Sequence, residues 1–250
     1  MGRAKEIIVK VIPAKIANEF VKLNHYSGKV VPNSSLHFGA FLDNKLHGVL
    51  SYGSPFIKIK ALPLVENTKW NEMLELNRMA FDQYLPKNSE SRCIAITIKL
   101  IKQNAPHIKW ILSYSDGTQC GDGAIYRASG FYLTDIKTNS AIIKLPNGEI
   151  RARMSFTKGA NILKQNGKAT IPKGSEYLNG NQLRYIYLID KTCKITVPIL
   201  PFSKIDEMGA GMYKGKKVSL QDRKLKCEGR LNKSRSTTSI EMAVTPTSSL

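Results

Sequence analysis

Residues 35–55 read SLHFGAFLDNKLHGVLSYGSP, two β-rich runs on either side of Asp43 and Asn44. Asp and Asn tolerate the left-handed backbone that a tight hairpin demands, so this stretch fixes an antiparallel strand pair around which the rest must be arranged. Upstream, EIIVKVIP (6–13) reads as an opening strand, and AKIANEFVKLNHY places Ile16, Phe20 and Leu23 at helical spacing. Downstream, an ambiguous TKWNEML leads into a strand-like LELNRMAFD. The best-marked helix follows: Asn88 stands at the N-cap position, Glu90 lies in the first turn, and Ile94, Ile98 and Ile101 share a face. WILSYSD (110–116) has the apolar run of a buried strand, GAIYRAS reads as a short helix, and FYLTDIK returns as a strand after Gly130. Strands that alternate with helices in this way predict a mixed α/β sheet with helices packed on it.

The 250 residues suffice for one large domain with an appendage. Residues 1–156 carry the α/β pattern. Residues 157–202 begin with TKGANILKQNGKATIPKGSEYLNGNQ, whose Gly, Lys, Asn and Gln content reads as loop. RYIYLIDK (184–191) then reads as a strand that ITVPILPF extends. Residues 203–250 are expected to be a largely flexible extension, with ten basic and four acidic residues between Ser203 and Arg235.

Charge narrows the partner. Thirty-eight Lys and Arg against nineteen Asp and Glu leave a net +19. Basic side chains displace the counterions condensed on a phosphate backbone, so nucleic acid is the expected partner; simple solvation of the lysines is the alternative. Lys214, Lys216, Lys217, Arg223, Lys224, Lys226 and Arg230 are the candidate phosphate contacts. Four scattered cysteines with no CxxC pair argue against a zinc finger or a disulfide framework. The sequence has neither a signal-type apolar region nor an apolar run long enough to span a bilayer, so no membrane partner and a cytoplasmic location are expected.

Four polar clusters sit at element ends, where a scaffold can present them to a ligand. In NHYSG, His25 could serve as base or metal ligand, Tyr26 could stack on a base, and Ser27 with Gly28 reads as a tight turn. In ELNRMAFD, period-two geometry puts Leu76 and Arg78 on one face and Asn77 on the other. NSESR opens the strong helix, where free N–H groups and Arg92 could hold an anion, or where Asn88 and Ser89 simply cap. SYSDGTQCGDGAIYRASGFY ends a strand in Ser113, Ser115 and Asp116, with Tyr126 on the next helix. Ligands sit at the carboxyl ends of such strands, so Asp116 could orient or deprotonate an amine; an Asp–Gly turn is the structural alternative. His25, His37 and His47 could meet around a metal, though their spacing gives little support.

Taken in order, HYSG, ELNRMAFD, PKNSESR, SYSD, GAIYRASGFY and RYIYLID resemble the Mom family of phage DNA-modification proteins over about residues 5–190. The resemblance implies a fold like the GNAT acyltransferases, a mixed central sheet flanked by helices, over residues 1–156. It implies conversion of adenine in double-stranded DNA to N6-carbamoylmethyladenine in the host bacterial cytoplasm, which protects phage DNA from restriction. Carried over by position, it places catalysis on Asp116, Tyr126, Arg78, Ser91 and His25. Tyr26, Ser27, Asn77, Arg92, Ser113 and Ser115 would line the substrate or donor site. A base inside the duplex stack is out of reach, so base flipping is expected. The loop PKNSES departs from the glycine-rich pyrophosphate loop of the acyltransferases and carries Glu90, which argues against acetyl coenzyme A. The small-molecule donor is therefore unidentified, and iron stays open as a metal. Two other readings remain: an acetyl-coenzyme-A-dependent N-acetyltransferase acting on an amine or protein, and a DNA-binding protein without catalysis.

Overall fold

The computed structural model describes residues 3–153, 164–165, 168–169, 171–222 and 225. Its strands are β1 (Ile8–Val11), β2 (Ser34–Leu42), β3 (Lys45–Gly53), β4 (Met73–Phe81), β5 (Trp110–Asp116), β6 (Tyr132–Lys144), β7 (Ile150–Ala152), β8 (Lys164–Gln165), β9 (Lys168–Ala169), β10 (Glu176–Leu188), β11 (Met212–Tyr213) and β12 (Lys216–Lys217). The helices are α1 (Ala14–Asn24), α2 (Lys58–Ala61), α3 (Ser89–Asn104), α4 (Ala124–Ala128) and α5 (Ser203–Glu207). Eight strands form one sheet in the order β1-β2-β3-β4-β5-β10-β6-β7. Its described neighbours are antiparallel except β4 and β5, which run parallel. The α/β expectation holds.

The β2–β3 hairpin turns on Asp43 (φ 50°) and Asn44 (φ 61°), two consecutive left-handed residues that match the strand twist. Successive residues of β3 then serve opposite layers. Leu50 and Tyr52 join Phe38, Cys93, Ile94, Ile98 and Ile101 beneath α3, while Val49 packs with Ala17, Val21 and Ala80 beneath α1. The helical face expected of α1 is thereby corrected. Phe20 packs against that cluster as expected, but Ile16 and Leu23 are exposed, and the smaller Ala17 and Val21 are buried in their place. The face expected of α3 is the observed one. Asn88, however, makes no side-chain cap; it adopts φ 69°, and Ser89 and Ser91 donate to the Pro86 and Asn88 carbonyls instead.

Residues 176–182, expected as loop, are strand paired with β6, and from Gln182 onward the same strand also pairs with β5. ITVPILPF does not extend that strand. Ile195 and Val197 cover Trp110 and Leu112 on one face of the sheet, and the Leu200 N–H bonds to Leu133. The extension expected from residue 203 onward also begins too early: Ile205, Ala210 and Met212 are buried, and β11 pairs with β12. Its basic composition concealed these few apolar anchors. Arg223, Lys224, Lys226, Arg230 and the boundary at 156 lie outside the described residues.

Candidate active site at the parting of two strands

Pairing between β4 and β5 runs from Met73 opposite Trp110 to Leu76 opposite Ser113 and then stops. Beyond that point β4 continues to Phe81 against β3, and β5 continues to Asp116 against β10. The strands part, and the residues next along each of them are polar: Asn77 and Arg78 on one side, Tyr114, Ser115 and Asp116 on the other.

A bulge sets what β4 presents. Ser51 pairs with Arg78 and Tyr52 with Leu76, so Asn77 is an extra residue. Leu76 and Met79, three apart, consequently pack in the same core. Arg78 is displaced from the face of Leu76, which corrects the period-two expectation. Its guanidinium donates to the Lys29 and Asn77 carbonyls at 2.9 and 3.0 Å. Half-buried, it makes no ion pair among the described residues, and burial holds its pKa below the usual value. A cation in that setting is a natural partner for an anionic or carbonyl oxygen.

α1 delivers the opposite wall. The chain leaves the helix at His25 and turns through Gly28 at φ 58°. The Tyr26 hydroxyl donates to Asp116 Oδ2 at 3.0 Å, across 90 residues of sequence. Asp116 Oδ1 accepts the Thr118 N–H at 2.8 Å, and Gln119 Nε2 reaches Oδ2 at 3.4 Å. The carboxylate thus closes the Asp–Gly turn with one oxygen and turns the other toward Tyr26. The Asp–Gly turn expected as the structural alternative is thus present, with Oδ2 also held by Tyr26.

His25 Nδ1 accepts the Ser27 N–H at 3.2 Å and lies 2.8 Å from the Ser27 hydroxyl. Burial, with the nearby Arg78 charge, lowers its pKa to about 4. Because an N–H can only donate, the neutral ring carries its proton on Nε2. Tyr126 is buried among Phe131, Tyr185 and Ser113; burial pushes its phenol up to about 12, with the Ser113 hydroxyl opposing. At neutral pH it is an acid and a hydrogen-bond donor. Ser115 is taken up by the Gly121 carbonyl at 2.5 Å.

Ser91 and Arg92 lie in the first turn of α3, where Arg92 donates to the Lys5 carbonyl at 3.4 Å. Neither makes a hydrogen bond or ion pair to the Tyr26–Asp116 group among the described residues. His37 bonds Ser51 and His47 bonds Asp82, so the three histidines do not converge. Among the described residues no group of three metal-ligating side chains is present.

Sequence reasoning missed Glu75, which precedes the bulge. Burial raises its carboxyl pKa, while the Phe56 N–H and the Asn77 side chain hold it down. An acid set between Leu74 and Leu76 was the available signal. It also missed how the loop after β5 is fastened. Asp122 is buried, pairs with Arg127 at 3.0 Å and accepts the Met212 N–H at 3.1 Å. The Gly215 N–H adds a bond to the Cys120 carbonyl at 2.8 Å. Gly123 sits at φ 82° with the Tyr185 ring where a Cβ would stand, so only glycine lets the loop lie there. The exposed Lys214, Lys216 and Lys217 are thereby fixed beside Asp116's loop.

Among known proteins, the model of the Mom protein family matches residues 6–204. Methylcarbamoylase mom of Escherichia phage Mu is 36% identical over 129 residues, 51% of this chain and 53% of that protein. The match thus spans about half the length of that relative. Similar solved structures include an N-acetyltransferase from Staphylococcus aureus Mu50, at 10% identity and TM-score 0.44, covering 74% of this chain and 99% of that one. A GNAT family acetyltransferase from Elizabethkingia anophelis gives 14% identity and TM-score 0.43, with 73% and 97% covered.

Proposed function

Since the chain belongs to the Mom protein family, we propose that it is a transferase that converts adenine in DNA to N6-carbamoylmethyladenine, protecting phage DNA in the host cytoplasm. The observation that carries this reading is the parted β4–β5 seam, with Asp116 turned toward Tyr26 across the gap. As the new N–C bond forms, the exocyclic amine of adenine must lose a proton. Asp116 is an acceptor at the strand end and takes that proton; Tyr26 holds its carboxylate in place until substrate shares the same oxygen. Arg78, half-buried and without an ion pair among the described residues, binds the donor's carbonyl or anionic group. Tyr126 stays protonated and donates to the base or the departing group. His25, kept neutral by burial and the nearby Arg78 charge, shapes the pocket beside that cation.

The basic hairpin β11–β12 supports DNA as substrate, because it sets three lysines beside the loop that bears Asp116. No helix among the described residues is long and apolar enough to cross a membrane. An acetyl-coenzyme-A-dependent reaction fits less well, since α3 opens on a left-handed Asn88 and places Glu90 in its first turn. We assign no step to iron or another metal.

The test is mass spectrometry of nucleosides from plasmid DNA of bacteria expressing the protein, with Asp116→Ala as control. A deoxyadenosine about 57 Da heavier, the increment of one carbamoylmethyl group on a flipped-out base, is expected with the unaltered protein and absent with the control. Unmodified DNA together with tight coenzyme A binding would move the assignment to an acetyltransferase. Unmodified DNA with DNA binding alone would leave a binding protein.

A further inference from the structure

Between β3 and β4 the chain makes a crest whose surface the chemistry above does not use. Five consecutive residues, Phe56 to Lys60, are exposed, while Pro55 before them and Ala61 and Leu64 after them are buried. Phe56 is 65% exposed, Ile57 47% and Ile59 82%. Three large apolar side chains held out in water by a turn anchored at both ends cost stability, which marks the crest as a contact surface. Lys58 and Lys60 alternate with them, and no acidic residue occurs between Ser54 and Val65. Lys58 Nζ lies 3.4 Å from the centre of the Trp70 ring, which braces the crest from behind.

Its position is set by the site. The Phe56 N–H bonds to the Glu75 carboxylate, and Glu75 pairs with Gly53 next to the bulge that displaces Arg78. The crest therefore rises beside the parted strands. The β11–β12 hairpin, with its exposed lysines, is bonded to the loop after β5 through the Gly215 N–H and the Cys120 carbonyl. We infer that the Phe56–Lys60 crest is a wedge that enters DNA beside the target adenine, its apolar side chains filling the stack the base leaves while its lysines meet the flanking phosphates. This rests on the DNA-modification reading. Apolar wedges of this kind unstack base steps, and basic neighbours supply the sequence-independent attraction. Five exposed residues are too few for a standard protein–protein interface, and an acid-free apolar–lysine alternation suits a polyanion with stacked rings better than a second protein surface.

The test pairs two readouts on the full chain. Purified protein is mixed with long duplex DNA carrying 2-aminopurine in place of adenine, whose fluorescence rises on unstacking. Plasmid from expressing cells is analysed for modified deoxyadenosine. A Phe56→Ser/Ile59→Ser variant, altered only at exposed positions and checked by thermal melting, should bind duplex within about threefold of the unaltered protein, lose the fluorescence rise and cut modification at least about tenfold. A fluorescence rise equal to that of the unaltered protein, or a loss of duplex affinity beyond about tenfold, overturns the wedge. So does a variant that changes only the oligomeric state, because the crest would then cover a second copy. A crest-dependent rise without any modified deoxyadenosine sinks the modification reading and leaves the wedge standing.

Discussion

The seam between β4 and β5 has two halves that differ in everything except the strands that make them. In the lower half, Met73–Leu76 and Trp110–Ser113 are hydrogen-bonded neighbours, and Ile111 and Leu112 are fully buried in the cores on either face. In the upper half the same strands separate, pair with other partners, and carry a guanidinium with no ion pair among the described residues and a carboxylate reached by Tyr26. The difference teaches that the sheet makes its site by failing to close. Where backbone groups satisfy one another, side chains are free to be apolar. Where they do not, polar side chains occupy the space and remain available to a substrate.

If that division is right, chemistry and stability separate between the halves. Asp116→Asn should lower modification by about a thousandfold, the scale of losing a positioned base, with the melting temperature nearly unchanged. A comparable loss of stability would mean that the upper half is part of the framework. Ile111→Ala should cost about 2–5 kcal/mol in denaturant unfolding through the cavity it leaves, with modification per folded molecule retained. Loss of activity out of proportion to the folded fraction would erase the division from the other side.

Two smaller effects refine it. Replacing Lys214, Lys216 and Lys217 by Ala should flatten the slope of log affinity against log salt by up to about three, about one for each phosphate released, without shifting the unfolding midpoint. An unchanged slope would remove the hairpin from the DNA path. The smallest is a pH effect on the upper half. The His25 pKa is lowered to about 4 from an ordinary 6.5, so between those values the unfolded chain binds more protons than the folded one. Stability should therefore decline as pH falls from 6.5 toward 4 and gain no further penalty from this group below that. His25→Gln should flatten that segment of a melting-temperature profile, and an unaltered profile would place the histidine in a more solvated setting.

What the sequence made legible is what local chemistry dictates. Asp43–Asn44 announces a hairpin, and Ile94, Ile98 and Ile101 announce a buried helix face, because each signal is complete within a few residues. The bulge at Asn77 was hidden, since it is a matter of register against β3 and not of composition. For the same reason Arg78 was assigned to the wrong face. Of the α1 face only Phe20 was legible, because the smaller Ala17 and Val21, not Ile16 and Leu23, pack beside it on the sheet. Tyr26 and Asp116 were both singled out, yet their bond joins segments 90 residues apart and is a product of topology. Glu75 escaped notice because its significance depends on being half-buried beside the gap.

The fastening of the C-terminal hairpin bears on how this chain could be recombined with its relatives. The family match ends at residue 204, which invites a junction there. Yet the carboxylate of Asp122, buried at 1% exposure, takes a proton donor from Met212, and Val218 closes the hairpin onto Gly211. A chimera cut at 204 would discard that donor and slacken the segment on which Asp116 is mounted. A junction made after Val218 instead keeps both bonds within one parent, so the machinery should stay aligned.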